Sequence, residues 1–123
     1  MEGTTKPRRV QVTKRVGGIL IPTGSVYVGR PGNGLPRTGR NLMTEFGNPY
    51  KIGRDGSRGD VLAKYRAHLQ ANPQLTMAAA GLLAGKDLAC WCPLDLPCHA
   101  DILLAVANGT PIPDLPEPTP ALF

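Results

Sequence analysis

The chain is 123 residues long, 41% hydrophobic and 19% charged, with a formal net charge of +5. That length makes one domain, able to bury a core without disulfides. No stretch reaches the roughly 18 apolar residues of a membrane span, and the N-terminus, MEGTTKPRRVQV, lacks the apolar run of a secretory signal. The expected compartment is the cytoplasm, where three closely spaced cysteines stay reduced.

The charge is uneven. Residues 1–40 carry eight Lys/Arg and one acidic residue, whereas residues 72–123 carry one base, Lys86, and five acids. A basic segment of this kind can hold phosphate backbones through counterion release; the competing reading is a solvated basic arm.

In chain order, residues 1–7 read as a disordered leader. Arg8 to Val16 alternates in part, with Val10 and Val12 on one side, which is a half-buried strand pattern. Ile19 to Ile21 is a short apolar run stopped by Pro22, and Ser25 to Arg30 (SVYVGR) is a better strand. Pro31 to Pro49 is a long irregular segment that Arg37 and Arg40 make basic, either a ligand-contacting loop or an unstructured insertion. Ser57 and Asp60 fit a helix-capping pattern, so a helix is expected over about 59–71 with Val61, Leu62, Tyr65 and Leu69 on one face. His68 lies near that face and reads as a packed or surface residue. Asn72-Pro73 ends this helix and starts a second, with Asn72 as cap and Pro73 at the first helical position. Leu75, Ala78, Ala79, Leu82 and Leu83 form its apolar stripe, and Gly85 closes it.

Leu88 to Cys92 reads as a short buried strand. A tight loop leads to a last helix over about 97–107, with Ile102, Leu103 and Val106 inward and Asn108-Gly109 at its end. The tail from Thr110, with five prolines in fourteen residues, is expected to be extended and outside the core. Leu122 and Phe123 could dock on a partner, against the reading of a loose terminus. The expected architecture is α/β: a small single-domain sandwich over 8–109, with short, mostly N-terminal strands and about three helices packed on the sheet. Strand direction is not legible at this level.

The chemistry concentrates in one stretch. Cys90, Cys92, Cys98 and His99 are spaced C-x-C-x5-C-H. Cys90 and Cys92 would face the same way from a strand end. Cys98 and His99 would sit in the first turn of a helix, whose N-terminus lowers a thiol pKa. The carboxyl end of a strand is also where open α/β sheets place ligand sites. Three readings stay open. Cys90, Cys92, Cys98 and His99 can hold a structural zinc. They can form a catalytic site, with some holding a catalytic metal or with Cys98 as nucleophile assisted by His99 or Asp101, although adjacent helical residues do not face each other. Or they are buried thiols with a satisfied histidine. Trp91, between the cysteines, is expected to pack into the core on the opposite face.

VYVGR at 26–30, FGNPYKIGRDG at 46–56, the helix around Tyr65, DLACWC at 87–92 and PCHAD at 97–101 together resemble the domain-of-unknown-function family numbered 4326, over about residues 26–106. The resemblance implies that Gly29-Arg30, Gly47-Asn48-Pro49, Tyr65, Cys90, Cys92 and Cys98-His99 are the family's positions. It also implies a bacteriophage origin and action in the host cytoplasm. Phe46 stands where the family usually has Trp, and the segment 31–45 is longer than usual, so Arg37 and Arg40 are not family features.

One pocket is expected from these residues. Arg30 would offer a guanidinium to phosphate or carboxylate, Asn48 an amide to a base or sugar, and Lys51 and Tyr65 further contacts. For Asn48 the competing reading is an Asx turn, for Arg30 a surface ion pair. The functional expectation is a Cys/His site that binds or processes a nucleotide or nucleic acid. The alternative is a non-enzymatic protein with a structural zinc that binds host nucleic acid or a host protein. No membrane partner is expected.

Overall fold

In a computed structural model of the chain, residues 7–15, 18–22, 24–30, 42–113 and 115–116 are described, with the backbone alone for 14–15 and 18–20. The first six residues, Arg37 and Arg40, and Leu122 and Phe123 lie outside them. The elements are β1 (Arg9–Gln11), β2 (Thr13–Arg15), β3 (Gly18–Leu20), β4 (Ser25–Tyr27), α1 (Arg58–Ala71), α2 (Pro73–Leu82), β5 (Asp87–Cys90) and α3 (His99–Asn108), with a single 3-10 turn at Thr44–Phe46.

β5 lies between β1 and β4 and runs parallel to both. Its central place follows from its sequence, since Leu88, Ala89 and Cys90 are all buried and a strand covered on both faces needs a continuous apolar run. The alternation of residues 8–16 is not one strand. Val12 still donates its N–H to the Cys90 carbonyl at 2.8 Å. β5 ends there, and the chain beyond Val12 takes a new partner, pairing β2 with β3 antiparallel.

Successive side chains of β4 and β5 point to opposite faces. Val26, Val28, Leu88 and Cys90 face the main core with Leu62, Tyr65, Ala79, Leu83, Ile102 and Leu103 from the helical layer. Tyr27 and Ala89 face a smaller cluster with Val12, edged by Val10, Ile21 and Leu42. Burying these aliphatic side chains, at about 1.5–3 kcal/mol each, is what holds the helices on the sheet.

α1 begins with a complete capping box. The Asp60 N–H donates to Ser57 Oγ, and the Ser57 N–H donates to the Asp60 carboxylate. Val61, Leu62, Tyr65 and Leu69 are buried, as its spacing predicts. Pro73 opens α2 at its first turn, but Asn72 does not cap that helix through its side chain. Its amide instead donates to the His68 carbonyl at 2.7 Å, closing α1. In α2, Ala79 and Leu83 are buried while Leu82 is 46% exposed. Leu83, four residues after Ala79, continues its buried face. Gly109, in the left-handed conformation at φ 67°, terminates α3. No helix among the described residues is long and apolar enough to cross a membrane.

Candidate metal centre

The end of β5 and the start of α3 meet below the sheet's carboxyl edge. Cys90 is the last residue of β5, Cys92 lies two residues on, and Cys98 is the residue that caps α3. Their sulfurs all lie within 4.8 Å of one another. All three are free thiols, with Cys90 and Cys98 buried and 3.1 Å apart. A tetrahedral ion about 2.3 Å from each thiolate would hold its sulfurs about 3.8 Å apart. The three cysteines are therefore placed to hold a metal ion.

Among the described residues the group of mutually close ligand atoms comprises the three cysteines, and His99 lies directly beside it. Its Nε2 lies 2.8 Å from the Val28 carbonyl, which can only accept, so Nε2 carries the proton. That leaves Nδ1 unprotonated, 3.3 Å from Cys98 Sγ. The two adjacent residues face each other because Cys98 has extended backbone angles (φ −141°, ψ 159°), so the helical spacing rule does not apply to the pair. Tyr65 packs its ring edge-on to the imidazole at 5.2 Å. Burial lowers the His99 pKa and keeps the ring neutral.

Electrostatics within the cluster are uneven. The Cys90 and Cys98 thiols beside Cys92 depress its pKa to about 2, with help from Arg58. Cys90 is pushed up chiefly by Cys92, and Cys98 by Cys90 and Cys92 together. The expectation that the helix N-terminus lowers the Cys98 pKa is thus reversed. Two neighbouring sulfurs and burial raise the Cys98 thiol, while the same neighbours and Arg58 favour the thiolate at Cys92.

Two arginines surround the cysteine loop. Arg9, with only 7% of its side chain exposed, pairs Nε with Asp101 Oδ1 at 3.1 Å. Its Nη1 donates to the Cys92 carbonyl at 3.3 Å and approaches Cys90 Sγ at 3.7 Å. Its Nη2 donates to the carbonyls of Pro93, Leu94 and Leu96 at 3.3, 3.1 and 2.6 Å. Arg58, at the start of α1, donates to the Pro97 carbonyl at 2.8 Å and lies 4.0 Å from Cys92 Sγ. Asp101 accepts from Arg9 and from the Cys98 N–H at 2.9 Å and so positions the loop. Nothing in the sequence marks Arg9 or Arg58 for this role: Arg9 belongs to the basic segment read as a surface or phosphate contact, and Arg58 stands within a helix-capping pattern.

A cavity of about 260 Å³ opens beside the cluster. Cys90, Cys92 and His99 line it together with Gly29, Arg30 and Asn48, and with Tyr27 and Trp91. Close backbone packing sets this geometry. A Cβ on Gly47 would meet the Gly29 carbonyl oxygen at 2.9 Å, and one on Gly29 would meet the Tyr27 hydroxyl at 2.5 Å. The Gly-Arg and Gly-Asn-Pro motifs are thereby locked side by side. Asn48 is buried, with its amide donating to the Val61 carbonyl at 3.2 Å and its oxygen accepting from the Tyr50 N–H at 2.9 Å. It is an Asx-turn residue, and both ends of its side chain are spent on the fold. Arg30 is exposed at the rim. Lys51 and Tyr65 do not line this cavity. Lys51 lies in the exposed turn, and Tyr65 is fully buried with its hydroxyl given to the Phe46 carbonyl at 2.6 Å. Trp91 is not in the core either: β5 has already ended at Cys90, and the ring stands 41% exposed at the cavity's edge.

Fold and site together define a small α/β domain with a tri-cysteine centre at the carboxyl end of its central parallel strand. The chain belongs to the family described as Domain of unknown function (DUF4326), whose model matches residues 10–109. No curated protein and no solved structure matches it.

Proposed function

We propose that the three cysteines hold a zinc ion and that the adjoining cavity binds a small phosphate-bearing ligand of nucleotide size. The carrying observation is the shared wall: Cys90 and Cys92 belong both to the sulfur cluster and to the lining of a cavity that has the Arg30 guanidinium at its rim. Three sulfur ligands leave one tetrahedral position, as in sites where zinc keeps a place for water or substrate. The cavity, about 260 Å³, is below the usual range for drug-sized ligands, so it suits a mononucleotide rather than a long strand. Arg30 supplies the planar fork that recognises phosphate. Metal content of the native protein by mass spectrometry tests the first half, with about one zinc per chain expected. Calorimetric titration with nucleoside monophosphates tests the second: binding should be lost in Arg30→Ala without a change in zinc content or melting temperature. Binding that Arg30→Ala leaves intact would refute the assignment of the cavity.

A second reading has its own support. Cys90 and Cys98 are buried, and Arg9 and Arg58 bind the loop carbonyls on the far side. These features favour a zinc that pins the loop structurally, in a non-enzymatic protein whose basic N-terminal segment contacts nucleic acid or another protein. Cys98→Ser separates the two: a structural ion predicts loss of the cooperative melt, a ligand-binding ion predicts a folded protein that no longer binds.

A further inference from the structure

Trp91 is the one feature of the cavity that the zinc and the phosphate contact leave unused. It is the chain's only tryptophan, and it sits between two of the sulfur-bearing residues. Trp91 lines the same cavity as Arg30 and is 41% exposed. A large indole left that open at a concave site loses burial that a core position would give it. Its backbone is held: the Trp91 carbonyl accepts from the Gln11 side chain at 3.5 Å, and Cys90 and Cys92 fix the residues on either side. The residue is therefore held through its backbone while much of its side chain stays open to solvent.

The geometry points to Trp91 as a stacking platform for a nucleobase, which makes the ligand of this cavity a nucleotide and not a simple phosphate or sugar phosphate. This rests on the reading of the cavity as a phosphate-binding site and adds its specificity. A flat aromatic face stacks on any base, while Arg30, on the same cavity, holds the phosphate. The arrangement selects for a ligand carrying both groups a short distance apart, and it is tolerant of base identity.

The single tryptophan makes the test direct. The zinc-loaded full chain is titrated with AMP, GMP, CMP and UMP, and separately with ribose 5-phosphate and inorganic phosphate. Indole fluorescence reads the ring, calorimetry reads binding, and N-acetyltryptophanamide corrects for absorption by the bases. The four nucleotides should bind about 5- to 150-fold more tightly than ribose 5-phosphate, the range that base stacking gives, and should quench Trp91. Trp91→Ala should bring nucleotide affinity down to that of ribose 5-phosphate with zinc content and melting temperature unchanged, and Trp91→Tyr should restore part of the difference. Equal affinity for nucleotides and ribose 5-phosphate, both dependent on Arg30, would overturn the stacking role and leave the phosphate site standing. Absence of binding by every ligand would overturn both. A nucleotide preference that persists in Trp91→Ala would assign the base to another wall.

Discussion

Replacing Arg9 with Met keeps most of the side chain's length and its apolar stem but removes the guanidinium. The loss is concentrated: an ion pair with Asp101 at 3.1 Å, and bonds to the carbonyls of Cys92, Pro93, Leu94 and Leu96 at 2.6–3.3 Å. Removing one partner of a buried pair costs about 3–5 kcal/mol, because the other charge is left behind. Asp101 is 24% exposed, and the loop carbonyls of residues 93–96 face solvent, so water recovers part of this. The lower end, about 3 kcal/mol, is the expected figure. For a domain of ordinary stability, about 5–15 kcal/mol, that is a large fraction, and it lowers the melting temperature by on the order of 10 °C. Urea unfolding followed by circular dichroism measures it, and Arg9→Lys should recover less than half, since a point ammonium cannot span the same carbonyls. A loss under about 1 kcal/mol in Arg9→Met, with unchanged metal affinity, would refute the view that this arginine holds the cysteine loop in place.

Gly47→Ala should destabilise the domain by about 1–3 kcal/mol in a thermal melt. The new Cβ would press on the Gly29 carbonyl at 2.9 Å, and backbone cannot rotate aside as a side-chain end could. His99→Leu should cost about 1–3 kcal/mol by orphaning the Val28 carbonyl, yet leave the number of metal ions bound per chain unchanged; loss of the ion in this variant would show His99 to be a ligand.

Local signals were readable and long-range ones were not. The Ser57/Asp60 capping box, Pro73 at a helix start and Gly109 at a helix end depend on neighbours within a few residues, and each stands where the sequence puts it. The cysteine cluster was legible for the same reason, all its members lying between residues 90 and 98. Strand partners were not legible. β1 and β5 are almost eighty residues apart, and three-residue strands carry too little pattern to fix direction or neighbour. Trp91 was misplaced by extending the strand's alternation past Cys90, where the strand has already ended. Arg9 escaped notice because an arginine in a basic segment looks like surface charge. Only the fold brings it under the 92–97 loop, and there the loop's carbonyls and Asp101 consume the charge that would otherwise meet a phosphate. The basic N-terminal third is a correspondingly weaker argument for nucleic-acid binding than its composition suggests.

The continuity of the core bears on whether the domain needs its ion to fold. The main core, running from Val26 and Leu88 through Leu62 and Tyr65 to Ile102 and Leu103, is continuous without any metal. The protein should consequently differ from zinc-finger peptides, which are unfolded without metal. After removal of metal by a chelator, far-ultraviolet circular dichroism should keep its helical signal and melting should remain cooperative. Adding zinc at about a thousand times its dissociation constant should then raise stability by about 4 kcal/mol through mass action alone. A chelated protein that loses its helical signal would show that the cluster, and not the aliphatic core, is what specifies this fold.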